Sequence, residues 1–231
     1  MLNQKTRKIL VQLGNINQTQ IISYPVTVVK MGGSIQAFLD ISKETGCNES
    51  EFEELGIYNI NELSSVIDVI ENPEISSKNG ILTIKNQNYK TTYATTSIDL
   101  IESQVRGNPD LISRIRKNKK ILSFKLESKD LNNINKMCSL RRNLSDLKII
   151  SKNNKIILSV TSIEKSSDSF NINIQGECED DSEMTLLIDS VNKLPISDYS
   201  VDIFKSEKGS LVAVFSSLDI DTLDIILTSK A

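Results

Sequence analysis

The chain has no histidine and no tryptophan. The first absence excludes Ser-His-Asp and Cys-His nucleophile chemistry, imidazole acid–base work and most catalytic zinc sites in one step. Aromatic residues make up only 5% and none interleaves with a basic run, which disfavours platforms that stack single-stranded bases. The three cysteines, Cys47, Cys138 and Cys178, are odd in number, far apart and in no CxxC pair. A disulfide framework and a structural zinc are both disfavoured, and a reducing cytoplasm fits. No apolar run approaches the roughly 18 residues that span a bilayer. The N-terminal MLNQKTRKILVQLGN has charge but no signal-type apolar core, so secretion is not expected. An excess of one charge is missing too. With 27 basic and 30 acidic residues the formal charge is −3, which excludes a wholly basic nucleic-acid binder but not a local basic surface.

What remains is an ordinary folded composition: 231 residues, 39% hydrophobic and 25% charged, enough for one or two domains. Residues 3–15 read as a short helix, with Ile9, Leu10 and Leu13 on one face and Arg7 and Lys8 largely on the other. The pattern then alternates through 21–25, 26–30 and 34–42, with Gly32-Gly33 as a turn. Residues 47–55 read as an acidic loop. Residues 61–71 are the clearest helix, with Leu63, Val66, Ile67 and Ile70 at i, i+3, i+4 and i+7 and Pro73 as a stop. A meander follows over 74–86 and 89–96. From 97 to 121 no clean period is visible, Gly107 and Pro109 intervene and the end is strongly basic, which reads as a long connector.

The second half repeats the grammar of the first. It has a strand at 123–128, a helix at 129–142 with Ser128 as candidate N-cap, and a hairpin at 147–162 turning at Asn153-Asn154. An alternating strand follows at 169–176, an acidic loop at 177–183 and a strand into a very short helix at 185–195. A hairpin at 199–217 and a strand at 221–229 finish the chain. A helix-plus-hairpin unit thus recurs about four times, two per half, in an α+β fold of two similar domains with antiparallel sheets. The domains fall at 1–97 and 122–231, with the connector at 98–121.

Few residues invite chemistry. The acidic runs around Glu49, Glu51, Glu53 and Glu54 and around Glu177, Glu179, Asp180, Asp181 and Glu183 lack EF-hand spacing and read as solvated loops. Gly32-Gly33 belongs to no phosphate-loop pattern. Cys138 lies on an apolar helix face and reads as a core residue. The basic residues say more. Lys5, Arg7 and Lys8 avoid the apolar face of the first helix, and Lys129 and Lys136 lie opposite the Leu131, Ile134 and Cys138 stripe of another. Arg141 and Arg142 follow at that helix's C-terminus, where the macrodipole also favours them. Such faces are commonly just solvated. Their functional reading is a surface that touches duplex phosphates without reading bases.

Taken in order, TRKILVQLGNIN (6–17), GIYNINELSSVIDVIENPEISSKNGILTI (56–84), ESKDLNNINKM (127–137) and KIILSVTSIEKSSDSFNINIQG (155–176) resemble the phage-type DNA sliding clamp. This is the trimeric polymerase processivity factor related to proliferating cell nuclear antigen. The resemblance covers nearly the whole chain. It implies the DNA-clamp fold, three subunits closed into a ring with helices lining the hole and antiparallel sheets outside, and no catalysis and no cofactor or metal. It implies duplex DNA, a replicative polymerase and an ATP-dependent clamp loader as partners, in the cytoplasm of an infected host cell and away from any membrane. Carried over by position, it makes Lys5, Arg7, Lys8, Lys129, Lys136, Arg141 and Arg142 the DNA-facing set. The helix at 61–71 departs from that pattern, because it offers Glu62 and Asp68 and no cation. The resemblance places subunit contacts at Tyr89, Thr91, Tyr93, Phe170, Ile172 and Ile174, and a partner-peptide pocket at Leu111, Ile112, Ile115, Leu223, Ile225 and Ile226. The rival reading is a phage structural ring protein of the tail-tube or baseplate type, which would be found in virions and ignore polymerase. An enzyme built on a carboxylate-bound metal is a distant third.

Overall fold

A computed structural model describes residues 4–43, 53–153, 155–162, 169–179 and 181–230. Contacts divide the chain into two compact units, Met1–Gly32 with Ala37–Pro109, and Gly33–Gln36 with Asp110–Ala231. Every strand pairing described below is antiparallel.

The first unit begins with α1 (Gln4–Leu13), which buries Thr6, Ile9, Leu10 and Leu13 along one face. Then come β1 (Gln20–Ile22), β2 (Val26–Met31), β3 (Ile35–Asp40) and β4 (Leu55–Ile57). The β2–β3 turn has Gly32 at a φ of +56°. Of the run 47–55, residues 47–52 lie outside the described residues, and Leu55 opens β4 rather than closing a loop. β4 pairs with β1, Gln20 opposite Ile57, and Gly56 bridges to Thr96. Three residues are too few for an alternating signal to emerge.

α2 (Ile60–Asp68) starts where Asn59 Oδ1 accepts the N–H groups of Asn61 and Glu62 at 3.1 and 3.2 Å. It ends earlier than the apolar periodicity predicts. Val69 is exposed and Asn72 takes a left-handed φ of +47°, while Ile70 stays buried beyond the helix end. β5 (Glu74–Lys78), β6 (Ile81–Lys85) and β7 (Lys90–Ala94) form a meander. Its first turn, Asn79-Gly80, has two successive positive φ angles, the form that suits the twist of a tight hairpin.

The unpatterned stretch after residue 97 carries two helices. α3 (Ile98–Val105) buries Ile101 and Val105 against Ile21, with Ile98 alongside. Ile98, Ile101 and Val105 do hold a helical period, but Gly107 and Pro109 break it before a second short helix takes a new phase.

That helix, α4 (Leu111–Ile115), opens the second unit. β8 (Lys119–Leu126), α5 (Ser128–Leu140), β9 (Leu144–Lys152), β10 (Lys155–Ser162), β11 (Ser169–Ile174) and β12 (Gly176–Cys178) follow. Then come β13 (Ser182–Leu187), the single-turn α6 (Ile188–Val191), β14 (Tyr199–Lys205), β15 (Leu211–Ser217) and β16 (Leu223–Thr228). One sheet runs β11-β10-β9-β13, and β12-β8-β14-β15-β16 lie side by side in another. The run 169–176 is therefore not one strand. At Gln175 the chain leaves β10 and joins β8. Cys178 and Ser182 are likewise strand residues at the two ends of the run read as an acidic loop, and Asp180 lies outside the described residues. So does Asn154, the second residue of the β9–β10 turn; Asn153 has a φ of +50°. Tyr199 is fully buried, meets Phe215 edge-on at 5.9 Å between ring centres, and donates its hydroxyl to the Pro195 carbonyl at 2.7 Å.

Ser128 is the first residue of α5 rather than its cap, and the N-terminus is capped from a distant segment. Asp198 Oδ1 accepts the Ser128 N–H at 2.8 Å while Oδ2 pairs with Lys125 at 2.9 Å. Asp219 in turn accepts the Ser197 hydroxyl at 2.7 Å and the Asp198 N–H at 3.0 Å. The Ser128 N–H first and Lys125 second hold the Asp198 carboxyl down at about 2, from an ordinary 3.8. The Ser197 hydroxyl and Asp198 N–H hold Asp219 below its ordinary value. Stability drawn from a depressed carboxylate is present above the unfolded value and is lost as pH falls through the folded one. We therefore expect Asp198→Asn to lower the melting temperature at neutral pH. The variant should also flatten the loss of stability between pH 4 and 2. Parallel acid titrations of the two proteins by circular dichroism would sink this if their difference stayed constant over that range.

Candidate nucleic-acid interface

Of the seven cations marked out by the sequence, five lie on α1 and α5 and two, Arg141 and Arg142, at and just beyond the C-terminal end of α5, and their surroundings differ. On α1, Lys5 and Lys8 are exposed and have no ion pair among the described residues. Arg7 is half-buried on the flank toward α2. Its Nε is buried without a hydrogen-bond partner, and the side chain lines an open crevice with Gln4, Asp68, Glu71 and Asn72. α2 brings only acids, so the helix layer of this unit is basic along α1 and acidic along α2.

In the second unit Lys129 pairs with Glu127, and Asp130 and Asp198 stand close enough to raise its pKa further. Lys136 is exposed on α5. Arg141 is its C-cap residue and Arg142 follows, both exposed. Among the described residues none of these three has an acidic partner. Leu131 and Ile134 are buried behind them. Cys138 is half-buried on the same helix, and desolvation raises its thiol pKa, the environment of an unreactive cysteine.

The basic residues crowded between 106 and 120 are largely neutralised. Arg106 forms a two-pronged bond with Glu54 at 2.9 and 2.7 Å and also meets Glu102. The Arg106 contact lowers the Glu54 pKa, helped by a 2.5 Å hydrogen bond from Ser23. Arg116 reaches Asp224 at 2.8 Å, Lys119 reaches Glu179 at 3.3 Å and Lys120 reaches Asp202 at 3.4 Å. The Glu54–Arg106 pair borders a cavity of about 170 Å³ lined by Tyr24, Pro25, Val26 and Pro109. Sequence reading missed that pair, because nothing local links residues 52 positions apart.

β7 and β11 are both edge strands of their sheets. On β7, Thr91 and Tyr93 stand opposite the buried Ile84 and Leu82; Tyr89 lies just before the strand and is exposed. On β11, Phe170, Ile172 and Ile174 stand opposite the buried Val160, Leu158 and Ile156. These side chains continue the core face of each sheet out to its open edge and are only half covered there. Of the six residues assigned to a partner pocket, Leu111 and Ile112 are half-buried on α4, while Ile115, Leu223, Ile225 and Ile226 are buried. Among the described residues no group of three or more Cys, Asp or Glu side chains is arranged to hold a metal ion. No described helix is long and apolar enough to cross a membrane.

No protein-family model matches this sequence, and no curated protein matches it by sequence. Solved structures do match. Proliferating cellular nuclear antigen from Entamoeba histolytica aligns over 98% of this chain and 95% of its own, with a TM-score of 0.67 and 14% identity. A putative DNA polymerase III beta subunit from Eubacterium rectale aligns with 99% of this chain at a TM-score of 0.64 and 12% identity. The DNA polymerase sliding clamp from Bacillus subtilis aligns with 98% of it at the same TM-score and identity. This chain spans 64% and 62% of the length of those two bacterial chains. At such identities the likeness is one of fold, and the fold of this chain is that of the DNA sliding clamps.

Proposed function

We propose that this chain is a DNA sliding clamp of the phage type, a homotrimeric ring that encircles duplex DNA and tethers a replicative polymerase without chemistry of its own. The observation that carries this reading is the clamp fold over essentially the whole chain, at a length close to that of the Entamoeba protein. Two features agree with it. Unpaired cations on α1 and on the C-terminal end of α5 suit loose phosphate contact, which holds a ring near DNA without stopping it from sliding. The open edges β7 and β11 suit strand-to-strand junctions between subunits. Opening such a ring needs an outside source of energy, so an ATP-dependent loader is part of the proposal. The working site is the cytoplasm of the infected cell. Leu111 and Ile112 on α4 are the accessible part of the proposed partner-peptide pocket.

Light scattering over a concentration series is the first test. The expected species is three times 25.8 kDa. With loader and ATP, the protein should stay on closed circular duplex and be released when the circle is cut. A monomer at every concentration, or equal retention on circular and linear DNA, would overturn the reading.

A further inference from the structure

The seven helix cations are not equivalent, and their neighbours sort them. α5 is about 20 Å long at 1.5 Å per residue, against a screening length of about 8 Å at physiological salt. Its two ends therefore act as separate electrostatic sites. Around the N-terminal end, the carboxylates of Glu127, Asp130, Asp198 and Asp219 surround the ammonium groups of Lys125 and Lys129, and each lysine is already paired, with Asp198 and Glu127 respectively. At the C-terminal end, Lys136, Arg141 and Arg142 have no acidic partner among the described residues. The first unit has the same division within itself. Lys5 and Lys8 are exposed, whereas Arg7 is half-buried, its Nε covered and without a hydrogen-bond partner, and lines a crevice with Asp68 and Glu71.

Resting on the clamp reading, we propose that only Lys5, Lys8, Lys136, Arg141 and Arg142 contact duplex phosphates. Lys129 is withheld by its pairing with Glu127 and Arg7 by its partial burial, and Glu127 keeps the N-terminal end of α5 off the DNA. The duplex then leans on one end of α5 rather than along it. Lys129 lies on the same helix and is equally exposed, so composition alone would have counted it as a contact.

The test uses the full-length protein and a short duplex of mixed sequence, with binding followed by fluorescence anisotropy from low to physiological salt. Removing one cation that touches a phosphate flattens the slope of log affinity against log salt by about 0.9. Arg141→Ala and Lys136→Ala should each flatten it by that amount, and Lys129→Ala and Arg7→Gln should leave it unchanged. Glu127→Gln should steepen it by a similar amount, and adding Lys129→Ala to Glu127→Gln should abolish that increase. Thermal melts of every variant confirm the fold. A Lys129→Ala slope as flat as that of Arg141→Ala, or a Glu127→Gln increase that survives removal of Lys129, overturns the inference and leaves the clamp standing. Absence of any duplex binding by the unaltered protein at low salt also overturns the inference, whereas the clamp reading falls only with the assembly and circular-DNA tests.

Discussion

In the proposed ring, replacing Ile172 with Asp should turn the trimer into monomers whose fold is intact. Among the described residues β11 pairs with β10 alone, and Ile172 lies opposite Leu158, which is 1% exposed. Phe170 and Ile174 flank it on the same face of the strand. In an isolated chain Ile172 is half covered, so an aspartate there can still reach water and the unit survives. In the proposed ring, closed by an adjoining strand, that carboxylate would be sealed in the junction. β7 offers Thr91 and Tyr93 on its corresponding face and could not neutralise it. An uncompensated buried charge costs about 4 kcal/mol, which is roughly a thousandfold in association at each junction. Light scattering should give 25.8 kDa with unchanged far-ultraviolet circular dichroism. A variant that keeps the assembled mass would show that β11 is not the contact edge. Asn171→Asp is the matched control, since residue 171 is exposed on the opposite face and its charge would stay in water.

Much of this architecture is legible from residue patterns, for reasons that also explain the failures. Strands flanked by sharp turns announce themselves, as 74–85 does through alternation and the Asn79-Gly80 pair. α1 and α5 are legible because one apolar stripe repeats over at least two turns. β4 and β12 are not, because three residues hold no period and their pairing partners lie 30 or more positions away. α3 is hidden by its neighbour, since a window reaching into α4 mixes two helical phases across Pro109. The cap of α5 is opaque for another reason. Ser128 has the side chain expected of a cap, yet Asp198, 70 residues on, takes the N–H instead.

The same distinction governs the charges. Which residues are basic is plain from the sequence, but which of them are free to meet a ligand depends on long-range pairing. Arg116 and Asp224 are 108 positions apart, and Arg106 and Glu54 are 52 apart. The long connector is the most basic stretch by sequence and among the best neutralised in the fold. The basic residues of the candidate interface are therefore visible in the sequence, and their pairing is not. Lys136, Arg141 and Arg142 stand out as free only once the acids around Lys129 are in view.

Gly176→Ala should be the most damaging single-methyl change in the second unit. The chain passes from one sheet to the other between Ile174 and Gly176, and the glycine lands opposite Phe124 on β8. A Cβ there would stand 2.4 Å from the Ser123 carbonyl oxygen, 2.6 Å from Ile156 Cδ1 and 2.7 Å from Phe124 Cβ. None of these can yield cheaply. Ser123 is backbone in β8 and is held by pairing with Asp202 on β14, while Ile156 and Phe124 are 1% and 5% exposed. Relief has to come from β12 lifting off β8, which breaks its short ladder and opens the core beneath. Overpacking of this kind costs up to about 3 kcal/mol, a fall of roughly 10 °C in melting temperature for a unit of this size. Gly33→Ala is the comparison, because no atom lies within 4 Å of the added carbon and the change should stay within about 0.5 kcal/mol. Equal melting temperatures for the two variants would mean that the crossover at 175–176 is looser than its contacts imply. β11 ends two residues before Gly176, so lifting β12 also drags the edge that the ring reading uses for assembly. Gly176→Ala should therefore weaken the proposed trimer at temperatures where the unit is still folded, which scattering and circular dichroism recorded on one heating ramp would separate.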